Sequence, residues 1–358
     1  MKANHRKRKP PVLWRMECIS LVTIKMIAQK CGYSTATVSK ALNGAPDISA
    51  ETTELIRKTA AQMGYTPNAA ARMLKTSRSY MFGVMFEDAT DSGLTHEFFA
   101  QILDSFKKRS EELGYDILFI NDTLAGRVIG YAEHARYRNC DGVLIANMDR
   151  NDPSVLDLAS CGIPAVTIDY VIDQCGTILS DNVQGMRDIV YYLHEMGHRR
   201  IAWIHGQNSP VCKIRLASFY RSCAELGIEV PAGYVIPGFF RDAEFSAKAT
   251  RQLLQMPEPP TCILYPDDVS FIGGFNEIER MGLRIPDDIS VVGYDGIQMG
   301  QLLRPRLTTM KQDAVTMGRR AAEELVRSVE EGKLYIPQQI TVPGMLLKGG
   351  TVKDLNAK

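Results

Sequence analysis

Residues 22–42 read VTIKMIAQKCGYSTATVSKAL, and the order of chemistry in that stretch decides how the first part of the chain folds. Thr23 is a good N-cap for a short helix in which Ile24, Ile27 and Ala28 share one face. Gly32 interrupts it where a sharp turn between two helices needs a permissive backbone. Ser34 then caps a second helix whose Val38, Ala41 and Leu42 turn inward. Thr35, Ala36, Ser39 and Lys40 are left on its outer, N-terminal part. Small and long polar side chains there give a surface slim enough for the major groove of DNA, which admits one α-helix.

Working outward, a third helix is expected from Ser49. Glu51 falls in its first turn, and Leu55, Ile56 and Ala60 recur at helical spacing. Gly64 ends it as a C′ residue. Beyond it, Thr66 can cap and Pro67 can open a further short helix, which carries so little apolar surface that it forms only with a partner. On the other side, Met1 to Pro11 is basic, with HRKRK at 5–9, and lacks the apolar region and cleavage site of an export signal. The net charge of +1 conceals a polarised chain. Residues 1–80 hold 14 Lys/Arg against 4 Asp/Glu, and the remainder holds 28 against 37. A basic head on a mildly acidic body is the footprint of a nucleic-acid module joined to a soluble domain. A solvated basic tail would give the same composition, so the motif inside the head decides between the two.

The stretch from Val22 to Leu74 resembles the DNA-binding headpiece and hinge of the lactose-repressor/galactose-repressor family. The strings that carry the likeness are VTIK, STATVSKALNG, ISAET and MGYTPNAAARMLKT. A lone helix-turn-helix pattern is weak, because any helical hairpin with a glycine mimics it; the continuous match is not. The resemblance implies that the second helix is the recognition helix, with Thr35, Ala36 and Lys40 at base-contacting positions. Thr37, Ser39 and Asn43 would hold phosphates, and Thr23, Ser34, Asn68 and Ala71 join the same implied set of DNA-binding residues. A hinge helix over 67–79 would pair with its dimer mate, and Leu74 would wedge into the minor groove at the operator centre. Two features depart from the family. Met26 stands where an acidic residue is common, which removes a capping-box partner for Thr23. Twenty-one residues also precede Val22; either Met16 is the initiator or the basic extension adds contacts to phosphates.

From Tyr80 the periodicity changes. Residues 81–86 (MFGVMF) form a short apolar run suited to a strand buried on both faces. A helix is expected over Glu97 to Leu113, with Phe99, Ile102, Leu103 and Phe106 inward, ending at Gly114. Further strands are expected over 115–120, 142–146, 165–168, 201–204, 261–264 and 290–293, most of them separated by helices. Alternating strands and helices at this spacing argue for parallel sheets in a doubly wound α/β body. In such folds ligands bind beyond the carboxyl ends of the strands.

The likeness extends over this body through SDNVQG (180–185), GHRRIAWIHG (197–206), IRLASF (214–219), Asp267-Asp268, IPDDISVVGYD (285–295) and LTTMKQD (307–313). It resembles the family's effector domain, which is similar to type I periplasmic sugar-binding proteins. The implied fold is therefore an N-terminal all-α helix-turn-helix headpiece with a hinge helix, followed by an α/β effector domain of two doubly wound subdomains. The implied division is a basic extension at 1–21, the headpiece at 22–66, the hinge at 67–79 and the body at 80–358. Within the body, 80–179 with 310–338 and 180–309 with 339–358 form the two subdomains, the chain crossing near 178–182, 308–311 and 338–341. By the same resemblance His96, Glu97, Phe98, Phe99, Asp169, Arg215, Phe239 or Phe240, Asp268 and Asp295 line the cleft. Aromatic faces and charge-assisted hydrogen bonds suit a polar ring such as a sugar. Gly93 to Glu97 departs from the family's usual Asn-Pro-Phe-Phe at the cleft mouth.

Other classes lose support. No GxGxxG follows the first strand, and neither a phosphate-binding loop nor a GxSxG elbow occurs. Adjacent Asp267 and Asp268 diverge, and such carboxylates are more often solvated or cap a helix. The eight cysteines form no CxxC pair and no metal spacing with the six histidines, so they read as reduced, mostly buried thiols. No run approaches the length of a membrane span. The expectation is a cytoplasmic, homodimeric transcriptional regulator that is not an enzyme, holds no metal or cofactor, and binds double-stranded operator DNA and a small carbohydrate. A secreted sugar-binding protein would share the body but replace the headpiece with an export signal. An α/β enzyme would need a nucleophile or cofactor motif.

Overall fold

Three side-chain caps start the three helices of the N-terminal unit. In the computed structural model, which describes residues 22–66, 73, 76–87, 93–147 and 152–357, the Thr23 hydroxyl accepts the N–H of Met26 and opens α1 (Ile24–Cys31). Gly32, in the left-handed region at φ +75°, returns its N–H to the Ala28 carbonyl and ends that helix. Ser34 accepts the N–H of Thr37 at 3.0 Å and opens α2 (Thr35–Leu42). Ser49 opens α3 (Ala50–Gln62) in the same way, and Gly64 lies beyond its end at φ +72°. The three helices close over Ile27, Ala28, Val38, Ala41, Ile56 and Ala60. Leu55, expected on the packed face of α3, is 48% exposed. The stripe of a short helix is narrow, and Ile56 with Ala60 already fills it. Met26 leaves the first turn of α1 without an acidic residue.

The chain divides into two units, 1–78 and 79–358. The expected hinge falls for the most part outside the described residues, and Asn68, Ala71 and Leu74 lie outside them, as does the extension at 1–21.

In the second unit β1 (Met81–Phe86) is followed by α4 (Glu97–Glu112) and β2 (Asp116–Phe119). A two-stranded hairpin, β3 (Thr123–Leu124) with β4 (Arg127–Val128), leads to α5 (Tyr131–Tyr137) and β5 (Gly142–Asn147). Then come α6 (Pro153–Ser160), β6 (Ala165–Ile168), β7 (Gly176–Ser180), α7 (Asn182–Glu195), β8 (Ile201–His205), α8 (Pro210–Glu225) and β9 (Val235–Pro237). The chain continues through α9 (Ala243–Leu254), β10 (Cys262–Leu264), α10 (Asp268–Arg280), β11 (Ser290–Asp295), α11 (Gln298–Leu302), β12 (Thr308–Lys311), α12 (Ala314–Glu331), β13 (Gln339–Val342) and β14 (Met345–Leu347).

Two six-stranded sheets result, in the orders β13-β7-β6-β5-β1-β2 and β14-β12-β11-β10-β8-β9. Every pairing is parallel except that of β14 with β12. Alternate residues of each strand enter different cores. Leu144 and Ala146 join Phe82, Ile102 and Met317 on one face of the first sheet, while Val143 and Ile145 join Tyr131 and Leu158 on the other. In the second sheet Trp203 and Cys262 face Phe219, and Ala202 and Ile263 face Phe271. This two-sided burial is why the strands read as continuous apolar runs. Helices α4 and α12 approach closely at Gly318, where an added Cβ would lie 2.1 Å from Ser105 Oγ and 2.2 Å from the Ile102 carbonyl oxygen.

The chain passes between the sheets three times: after β7, after β12 and after β13. The last passage falls between 342 and 345 rather than near 338–341, because Gln339–Val342 pairs in register with Thr177–Ser180 of the first sheet. The second likewise follows Lys311, which pairs with Asp295 of the second sheet. Among the described residues no helix is long and apolar enough to cross a membrane.

Candidate functional site

On the first unit, Ser34, Thr35, Ala36 and Lys40 stand exposed along α2, with Thr37 and Ser39 half-buried beside them. Asn43 follows the helix and ties its side-chain amide to the Ser39 carbonyl at 2.6 Å. Thr23 is exposed but occupied in capping α1, and Ser34 in capping α2. The Lys40 ammonium is paired with Asp47 at 2.5 Å, and both partners are exposed. That hydrogen bond holds the Asp47 carboxyl below its ordinary range. The pair lies in water and is readily exchanged for another anion.

In the second unit the carboxyl ends of strands from both sheets converge on a cavity of about 220 Å³. From the first sheet come His96, Phe98 and Phe99 after β1, Asn147 at the end of β5, and Asp169 after β6. From the second come Gln207 after β8, Phe240 and Arg241 after β9, Asp267 after β10, Asp295 ending β11 and Gln312 after β12. Arg215 reaches in from α8.

Each polar side chain is positioned by its neighbours. Arg215 is buried, donates from Nε to Asn182 Oδ1 at 2.7 Å, and lies 3.4 Å from the centre of the Tyr294 ring. Asp169, at φ +53°, accepts the N–H of Ser180 at 2.6 Å and its hydroxyl at 3.0 Å. Burial nevertheless raises its pKa, opposed by Ser180 and by the nearby Arg215. Asp295, at φ +103°, accepts from Gln312 Nε2 at 2.7 Å. Burial first, and then the charge of Asp267, push its carboxyl up to about 7. Gln312 is itself 6% exposed, and its Oε1 is buried without a hydrogen-bond partner. Phe240 lies over Gly206, where an added Cβ would come within 2.5 Å of the ring. Among the described residues no cluster of three or more His, Cys, Asp or Glu could hold a metal ion.

The cavity thus gathers His96, Phe98, Phe99, Asp169, Arg215 and Asp295 of the expected set. Three others stand elsewhere. Phe239 is 56% exposed, its ring set edge-on to Phe245, and Phe240 takes the place in the cavity. Asp268 is buried away from the cavity, accepting from the Thr309 hydroxyl at 2.7 Å and the Ile297 N–H at 2.9 Å. Its neighbour Asp267 faces the cavity, with Oδ1 accepting the N–H groups of Val269 and Ser270 at the start of α10 and Oδ2 that of Arg241. Consecutive side chains at a helix start diverge, so only one of the two carboxylates reaches the cavity. Burial, then the charge of Asp295, raise the Asp268 pKa well above its usual value. Glu97 lies beside the cavity without lining it. Sequence reasoning missed Asn147, Gln207, Arg241 and Gln312; only Gln312 carried a signal, inside LTTMKQD.

Comparison with known proteins covers both units. Residues 23–68 match the family model of bacterial regulatory proteins of the lacI family, and residues 190–352 match a periplasmic binding protein-like domain. The chain is 31% identical over 315 residues to the probable HTH-type transcriptional repressor ExuR of Bacillus subtilis (strain 168), spanning 87% of this chain and 92% of that protein. With the HTH-type transcriptional repressor CytR of Escherichia coli (strain K12) it shares 28% identity over 343 residues, 92% of this chain and 96% of that one. The crystal structure of the Lac repressor dimer bound to operator and the anti-inducer ONPF superposes with a TM-score of 0.77 at 27% identity, covering 93% of this chain and 99% of that one. A cellobiose complex of the regulator CelR follows at 0.66 and 25%, covering 92% and 99%. With the lacI match falling on the residues that build α1 to α3, and the likeness to a repressor running through both units, this chain is a DNA-binding transcriptional regulator and belongs to the lacI family of bacterial regulatory proteins.

Proposed function

We propose that the chain acts as a cytoplasmic homodimeric repressor whose grip on operator DNA is set by a carbohydrate, or a carbohydrate derivative, bound in the cleft of the body. In this reading residues 22–66 are the DNA-binding headpiece, 67–79 the hinge and 80–358 the effector and dimerisation body. Thr35, Ala36 and Lys40 read bases, Thr37, Ser39 and Asn43 hold phosphates, and Asn68, Ala71 and Leu74 act from the hinge. His96, Phe98, Phe99, Asp169, Arg215, Phe240, Asp267, Asp295 and Gln312 form the effector site.

The observation that carries the reading is the lone acceptor of Gln312. A buried oxygen without a partner costs roughly 1–3 kcal/mol, and here it borders a cavity lined by polar groups and three phenylalanine rings. A ligand hydroxyl satisfies it, and Asp295, held near neutrality, both donates and accepts at the same place. The cavity is smaller than the ~300–1,000 Å³ of drug-sized ligand sites, which fits one sugar ring better than a chain. A ligand that prefers one arrangement of the two subdomains shifts the balance between hinge arrangements by its differential affinity alone. The dimer has support from the Lac repressor relative, solved as a dimer.

The test begins by selecting an operator from a pseudo-palindromic library. The full chain is then titrated with D-glucose, D-galactose, D-galacturonate, cellobiose and adenosine, with and without that operator. We expect one carbohydrate to bind and to move operator affinity. Arg215→Ala should weaken its binding by roughly 100-fold, since a buried charged donor and the packing around it are lost together. Binding by adenosine alone would overturn the carbohydrate assignment. An operator affinity that none of the five moves would overturn effector control through this cleft.

A further inference from the structure

We infer that Glu97 is a latch across the mouth of the cleft, and that it sets how much of the protein has the cleft closed before any effector arrives. The inference rests on the reading of the cleft as an effector site. Glu97 sits in the first turn of α4, on the subdomain of the first sheet. Its Oε1 accepts the backbone N–H of Gln298, on the subdomain of the second sheet, at 2.8 Å. The same oxygen accepts Gln101 Nε2 at 3.2 Å, one turn along α4, which holds the carboxylate in place.

Both ends of this bond are wired to cavity walls. His96, Phe98 and Phe99 line the cavity on either side of Glu97 in sequence, while Glu97 does not. Gln298 comes three residues after Asp295, another wall residue, and the N–H of the intervening Ile297 is held by Asp268. Opening the subdomains pulls the segment 295–298 away from α4 and leaves the Gln298 N–H facing water. That N–H has no alternative partner within its own helix, because the leading donors of a helix are unsatisfied there.

The Glu97 carboxylate makes this bond a charge-assisted one. A contact made only in the closed arrangement enlarges the closed fraction, and effector affinity rises in proportion to that fraction. Losing the latch lowers the closed fraction and effector affinity with it, and raises the open fraction that frees the Gln298 amide; one exposed bond of this kind shifts the ratio of the two roughly five- to tenfold.

The experiment needs no effector. Amide hydrogen exchange and solution X-ray scattering are measured on the full chain as wild type, Glu97→Ala and Glu97→Gln. The alanine variant should exchange the Gln298 amide roughly five- to tenfold faster and show a larger radius of gyration. The glutamine variant, which keeps a neutral acceptor of the same shape, should recover part of both. Unchanged amides over Ile102 to Phe106 report that α4 is still packed. Exchange at Gln298 that ignores both substitutions overturns the latch. So does faster exchange with unchanged scattering, since the bond would then be local and not closing anything. A wild type that shows the latch but binds none of the five ligands would sink the effector reading and leave the latch standing. One that binds a sugar while Gln298 ignores Glu97 would do the reverse.

Discussion

Asp47 in the headpiece and Asp295 in the body carry the same carboxyl group and are pulled in opposite directions. Asp47 lies in water beside Lys40, and the hydrogen bond from that ammonium lowers its pKa. Asp295 ends β11 at the cavity, where burial and the charge of Asp267 push it up to about 7. The difference follows from how much each unit can bury. Six small or medium side chains close the headpiece core. The body covers both faces of two sheets with four separate clusters. A thin core cannot keep water from a charge, so the headpiece works through exposed groups whose reach is screened by salt. A thick one can, so the cleft works through a few desolvated groups, each worth more.

The largest effect should come from breaking the thickness itself. Gly318→Ala sets a methyl group 2.2 Å from the Ile102 carbonyl oxygen, which cannot turn aside as a flexible side chain would. Overpacking of this kind costs about 1–3 kcal/mol. We expect the body's calorimetric unfolding transition to fall by several degrees. A midpoint equal to that of the wild type would show that α4 and α12 separate at no cost.

A middle-sized effect should come from Asp295→Asn, and its sign depends on pH. The unfolded carboxyl titrates near pH ~3.9, and the folded one at about 7. As pH rises between those values the unfolded chain ionises while the folded chain keeps its proton. This group therefore lowers stability progressively over that window and by a constant amount above it. The asparagine variant lacks the loss. Its thermal midpoint should exceed that of the wild type at pH ~8 and match it near pH ~4; a gap independent of pH would mean that Asp295 is ionised in the cleft.

The smallest effect tests the exposed side of the comparison. Asp47→Asn releases Lys40 and removes a negative charge near α2. Affinity for random-sequence duplex DNA should rise roughly two- to fivefold at low salt, and the gain should shrink as salt is added. A gain that persists at high salt would contradict a screened surface pair.

How far the structure can be foreseen differs between the units for related reasons. Caps at Thr23, Ser34 and Ser49 are local chemistry, and the helices start where those residues stand. The central strands are legible because burial on both faces leaves them apolar throughout, as in Val143 to Ala146. The strands at β7 and β12 escaped because threonines fill buried places in them. Thr177 shares a 3.0 Å hydrogen bond with Thr167, and Thr309 donates to Asp268, so polar side chains sit where apolar runs are sought. In the cleft, sequence likeness located the neighbourhood, left Phe239 and Phe240 both open, and put Asp268 where Asp267 lines the cavity. Which of two adjacent side chains faces a cavity is set by backbone angles, such as φ +59° at Arg241, and by which carboxylate caps α10. No string of residue types reports those.

The three passages of the chain between the sheets bear on how the protein is made. β13 closes one edge of the first sheet, β14 one edge of the second, and α12 supplies Met317, Ala321 and Leu325 to the first sheet's core. A ribosome that has translated the first two hundred residues has therefore exposed most of the strands of one half without the helix that covers them. The first half cannot be finished before residue 342 leaves the exit tunnel, nor the second before residue 347, whereas α1 to α3 need nothing beyond Tyr65 for the core they share. During synthesis, the DNA-binding end has its fold long before the end that regulates it.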